Sequence, residues 1–175
     1  MNFGCGACSR EDAEAAWQHF RHDVDTEAPI VDDPHFIVRI VRCRACSQPF
    51  IRIFTEFIDW SGGDDPQYTT IMPVTEAEAA AFTDGSLSVF QAGKIGAGRR
   101  HLLSDWPSGQ ARRISWGEGT FLVSEGGLCP SAVYLSRRLA LGRASAAYEA
   151  RVLRVSKTFL VVKTLARHTV QKPSR

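Results

Sequence analysis

An α+β fold is what this sequence predicts: a β-hairpin with a cysteine pair at its tip, a helix inserted ahead of it, and a small, mainly β region after it. Three observations carry that reading. Two C-x-x-C pairs, Cys5-Gly6-Ala7-Cys8 and Cys43-Arg44-Ala45-Cys46, bracket a stretch with helical periodicity. Two apolar, β-branched runs flank the second pair. Beyond them, short β-like runs alternate with Gly and Pro turns.

The elements follow in chain order. Ser9 followed by Asp12 suits a helix N-cap with an acidic first turn. Ala13, Ala16, Trp17 and Phe20 then recur at helical spacing, predicting a helix over 10–22 that Pro29 and Pro34 keep from continuing. Phe36 to Val41 reads as a strand entering the second cysteine pair, and Phe50 to Phe57 as a strand leaving it. Gly62-Gly63 and Asp65-Pro66 mark turns. Asp64 and Asp65 are adjacent, so their carboxylates point apart, and the stretch reads as a solvated loop rather than a cation site. Tyr68 to Met72 is a short strand stopped by Pro73. Thr75-Glu76-Ala77-Glu78 is a capping box opening a helix over Ala77 to Phe82, which ends near Asp84-Gly85. Gly93 to Arg100 matches neither phosphate-loop pattern and reads as a flexible basic turn. Arg112 to Val123 predicts a hairpin turning at Gly117-Glu118-Gly119. Residues 1–125 are expected to form the α+β domain and residues 126–175 a basic C-terminal extension. From 130 onward there are ten Lys and Arg against a single acid, Glu149.

Composition bounds the function. With 175 residues, 44% of them hydrophobic, the chain can bury a core and needs no disulfide framework. No apolar run approaches the ~18 residues of a membrane span. Met1 to Cys8 has neither a basic nor an apolar leader region, so a cytoplasmic protein without membrane contact is expected. Charge is lopsided. Residues 1–87 hold 6 Lys and Arg against 15 Asp and Glu, and residues 88–175 hold 15 against 4. Either the halves neutralise one another or one of them faces a charged partner.

The cysteines carry the chemistry. A C-x-x-C turn puts two thiolates on one side of a tight loop, and two such turns complete a tetrahedral shell. The 34 residues between Cys8 and Cys43 exceed the spacing of compact ribbons. Doubling a loop costs only about 0.6 kcal/mol, against on the order of 10 kcal/mol from structural zinc. One structural zinc ion held by Cys5, Cys8, Cys43 and Cys46 is therefore expected. Arg42 and Arg44, beside Cys43, are expected to offset its net −2 charge. Competing readings are a thioredoxin-like redox pair, disulfides, and a mixed site of Cys5, Cys8, His19 and His22. Outside that mixed site, His19 and His22 read as solvated helix surface. Cys129 reads as an isolated thiol near a turn.

The paired knuckles around a helix and hairpin resemble zinc-ribbon proteins. Asp64-Asp65-Pro66-Gln67-Tyr68, Pro73-Val74-Thr75-Glu76 and Gly98-Arg99-Arg100 also look like small bacterial proteins with a cysteine-pair metal knuckle and no assigned activity. The likeness covers about residues 1–123 and implies a fold element, not a reaction. By analogy it suggests an immunity-like or accessory factor.

No catalytic residues are expected: there is no Ser-His-Asp order, nucleophile elbow, catalytic-zinc spacing or nucleotide loop. The expected activity is binding another protein through the acidic N-terminal half. The alternative is a nucleic-acid-binding zinc ribbon using the basic half. Arg99, Arg100, Arg112 and Arg113 would then hold phosphates, with Trp106 and Trp116 available for stacking.

Overall fold

A computed structural model describes residues 3–58, 64–96, 98–121, 123–124 and 127–128. Cys129, the Gly62-Gly63 turn and all but Gly127 and Leu128 of the expected C-terminal extension lie outside them. The architecture is α+β. Helix α1 (Ala13–His22) is followed by strands β1 (Val24–Asp33), β2 (Phe36–Cys43), β3 (Pro49–Glu56) and β4 (Gln67–Pro73). Then come α2 (Glu76–Thr83), a 3-10 turn (Val89–Gln91), the single-turn helix α3 (Ala92–Ile95), and strands β5 (His101–Trp106) and β6 (Arg113–Gly117). A two-residue ladder, β7 (Val123–Ser124) with β8 (Gly127–Leu128), closes the described region. Strands β1 to β6 form one antiparallel sheet in sequence order. Among the described residues, no helix is long and apolar enough to cross a membrane.

Both faces of the sheet bury apolar side chains. On one face Phe36, Val38, Ile40, Ile51, Ile53 and Met72 meet Phe82 of α2 together with Phe121 and Val123. On the other, Val41, Phe50, Ile71 and Leu102 pack under Trp17 and Phe20 of α1. Two-sided burial explains why β2 and β3 read as near-continuous apolar runs. Two-residue alternation divides each run between two cores.

The expected strands of the central hairpin and the strand before Pro73 form, as does the capped helix. Thr75 Oγ1 accepts from the Glu78 N–H at 3.2 Å, and Glu78 Oε2 accepts from the Thr75 N–H at 2.8 Å. Four expectations change. The cap of α1 is Asp12, whose carboxylate accepts from the Glu14 N–H at 2.9 Å; the Ser9 hydroxyl donates instead to the Cys5 carbonyl. The stretch with Pro29 is strand β1, where Pro29 sits between two register shifts on an edge that tolerates a missing donor. The hairpin expected over 112–123 does not close on itself. β6 pairs back onto β5, and Phe121 and Val123 enter the core. The turn read as flexible at 93–100 begins as α3, lodged against the Phe121 backbone. A Cβ on Gly93 would lie 1.7 Å from the Phe121 carbonyl oxygen, so only glycine permits that approach.

Candidate metal centre

Four cysteines from two distant segments meet beside α1. Cys5 and Cys8 lie in the turn ahead of the helix, closed by a Ser9 N–H bond to the Cys5 carbonyl at 3.0 Å. Gly4 has φ +85°, and a Cβ there would lie 2.5 Å from Cys8 Sγ, so the first turn needs glycine on both counts. Cys43 ends β2 and Cys46 lies in the loop to β3. The Ser47 N–H donates to the Cys43 carbonyl at 2.8 Å, the Cys43 N–H to the Gln48 carbonyl at 3.1 Å, and Ser47 takes φ 60° to turn the corner.

The sulfurs converge. Cys5 Sγ is 3.8 Å from Cys8 Sγ and 3.9 Å from Cys43 Sγ, and Cys8 Sγ is 3.8 Å from Cys46 Sγ. All four lie within 4.8 Å of one another, an arrangement able to hold a metal ion. Cys8 and Cys43 are buried, Cys5 half-buried and Cys46 exposed. The backbone tunes them in a repeated way. N–H groups of Cys8 and Ala7 pull the Cys5 thiol down to about 6. Burial pushes the Cys43 thiol up, while the N–H groups of Ala45 and Cys46 oppose it from the equivalent positions. Burial is also the main force raising Cys8. Buried thiols of raised proton affinity, packed sulfur against sulfur, are groups a cation would discharge.

His19 departs from its expectation. It is buried, not solvated, with Nε2 3.3 Å from Cys43 Sγ and Nδ1 3.6 Å from Asp23 Oδ2. A thiolate only accepts, so with Cys43 ionised His19 donates to it through Nε2–H. The mixed site of Cys5, Cys8, His19 and His22 is not what forms. Cys43 and Cys46 complete the set, while His22 is exposed and its carbonyl accepts from Arg44. Helical spacing alone placed His19 on a face; that the second cysteine pair lies under that face is a tertiary fact.

The arginines also differ from expectation. Arg42 bonds Glu27 at 2.6 Å and Glu76 at 2.7 Å, and Arg44 bonds Asp25 at 2.8 Å, so both neutralise carboxylates rather than the sulfurs. Arg99 holds Glu78 through two bonds of 2.7 and 2.8 Å. The Arg100 guanidinium stacks 4.0 Å from the Trp116 ring centre and donates to the Glu11 carbonyl. Arg112 stacks 4.5 Å from Trp106. Arg113 lies opposite Asp105, one residue out of phase with Arg112 and so on the other face. The four arginines do not share one surface. Asp64 accepts from the Gly109 N–H at 3.3 Å, a loop contact.

No protein-family model, curated protein or solved structure matches the chain.

Proposed function

We propose that this chain is a non-enzymatic, cytoplasmic binding protein whose front end is fixed by one structural zinc ion. The observation that carries the reading is the sulfur spacing. A zinc ion bonded to sulfurs at about 2.3 Å needs a tetrahedron with edges of about 3.8 Å, and three of the measured separations are 3.8 to 3.9 Å. Four thiolates fill that tetrahedron. A cleft of about 620 Å³ borders Cys5 and Cys8, yet no coordination position is left on the ion for water. Zinc in such a shell knits the first turn, α1 and the β2–β3 loop together and performs no chemistry.

The partner we favour is another protein, met along β1. This ten-residue edge strand exposes Asp25, Asp32 and Asp33. The likeness to small bacterial metal-knuckle proteins adds an immunity-like or accessory role by analogy. The test has two arms. Elemental analysis of purified protein should find one zinc per chain; a metal-free, folded protein would defeat the structural part. A pull-down from the native host should retain a protein that Asp32→Lys/Asp33→Lys loses; equal retention by both would defeat the acidic edge. A second reading, nucleic-acid binding, is supported by the Arg112–Trp106 stack, whose Trp106 is 43% exposed.

A further inference from the structure

Among the described residues, α1 packs its apolar side chains over one end of the sheet face beneath it. Register fixes what lies at the other end. Arg39 stands directly opposite Arg52, and Ile37 opposite Phe54. Phe54 aligns with Thr69 and Thr69 with Ser104, while Gln67 aligns with Trp106. Alternation puts Ile37, Arg39, Arg52, Phe54 and Trp106 on the face that carries Val41, Phe50, Ile71 and Leu102. Arg112 stacks on Trp106, and the Arg52 guanidinium lies 5.9 Å over the Trp17 ring.

Two guanidiniums facing each other across a ladder repel. Among the described residues neither Arg39 nor Arg52 forms an ion pair with a carboxylate. Arg52 is pushed down by burial and by repulsion from Arg39 and Arg21. The acids on this face are Asp32, opposite Ile37, and Glu56, which His35 and Gln67 already engage. On this face the arginines outnumber the acids, and Glu56 is already engaged.

We infer that this half of the face, where Ile37, Arg39, Arg52 and Phe54 are half-buried and Trp106 is exposed, docks single-stranded nucleic acid. Charge complementarity selects a polyanion, with Arg39, Arg52 and Arg112 meeting phosphates. The rings select bases: Phe54 is half-buried, Trp106 is exposed, and they sit two strands and two residues apart, about 12 Å from the ladder spacings. A flat sheet with rings suits unstacked bases and cannot enter a duplex groove. The inference rests on the nucleic-acid reading above and relocates it. Arg39 and Arg52, from the acidic half, replace Arg99, Arg100 and Arg113.

The test uses the full zinc-loaded chain and a labelled oligothymidylate, read by anisotropy across a salt series, with the matching duplex and polyglutamate as competitors. The wild type should bind the single strand, more weakly as salt rises. Arg39→Gln/Arg52→Gln should weaken binding roughly 10-fold and lower the salt slope by about 2. Trp106→Ala, checked for an unchanged urea midpoint, should weaken it roughly 10-fold. Arg113→Gln, on the opposite face, should change nothing beyond its share of long-range charge. No binding at low salt defeats the nucleic-acid reading itself. Binding that survives both variants leaves that reading standing and overturns this surface. Preference for the duplex, or displacement by polyglutamate as effective as by unlabelled strand, overturns single-stranded nucleic acid as the occupant.

Discussion

The two ends of one sheet face behave differently although the same strands build both. At one end Trp17 and Phe20 cover Val41, Phe50, Ile71 and Leu102, and four sulfurs gather beside them. At the other, the next residues along β2 and β3 are Arg39, Arg52, Ile37 and Phe54, half-buried, with Arg52 reaching back to the Trp17 ring of α1. Alternation decides only which side chains share a face. The short tether from Cys8 to α1 decides which end is covered, because the helix stays close to the sulfurs.

The largest way to break this contrast is to remove the ion. Structural zinc contributes on the order of 10 kcal/mol. Cys8→Ser, or a strong chelator, should therefore strip the proposed zinc and release α1. Helical signal should fall, and hydrogen exchange should rise over residues 13–22 before it rises in the central strands. Retained protection of α1 would show that apolar packing alone holds it.

Next comes the packing itself. Phe20 is buried and meets Phe50 edge-on at 4.8 Å. Phe20→Ala should cost about 3–5 kcal/mol. Phe54→Ala, half-buried at the other end, should cost less, about 1 kcal/mol. Urea midpoints compare the two directly, and equal losses would mean both ends are equally packed.

A smaller effect is expected from His19. Leu fills its place without donating, so His19→Leu should lower zinc affinity by about 10–100-fold. With cobalt in place of zinc, the sulfur-to-metal charge-transfer band should move to lower energy as Cys43 loses its hydrogen bond. His19→Gln, which keeps a donor, should restore much of both. An unshifted band would reduce His19 to a filler.

The smallest concerns the face away from the metal. His101 is buried with Nε2 unpartnered among the described residues, and burial holds its pKa below the ordinary value. The unfolded chain then binds more protons, so stability is full above about pH 6.5 and falls as the pH drops below it. His101→Gln should flatten that part of the urea-midpoint profile between pH 7.5 and 5.5, and an unchanged slope would place the pH dependence elsewhere.

Much of the hairpin was legible because Phe36 to Val41 and Phe50 to Phe57 are long, β-branched and bounded by turns. The Thr75 capping box was legible because its bonds are local. β1 was not, since an edge strand with exposed carboxylates and Pro29 lacks an apolar signal. β5 was not either. His101, Ser104 and Asp105 look like surface residues and are buried by their neighbours. Neither was the placement of the arginines: strand phase puts Arg112 and Arg113 on opposite faces, while Arg99 bonds Glu78 and Arg100 stacks on Trp116.

By itself, the chain's order of residues pointed to the two cysteine pairs as one group and to the strands of the central hairpin. C-x-x-C spacing and two-residue alternation are local rules with few solutions. Only the folded arrangement decided that His19 lies against Cys43, that Arg42 and Arg44 serve carboxylates, and that Arg39 confronts Arg52 across the β2–β3 ladder. These pairings join residues 13 to 34 positions apart, and no local rule fixes a partner at that distance; strand register and the placement of α1 do.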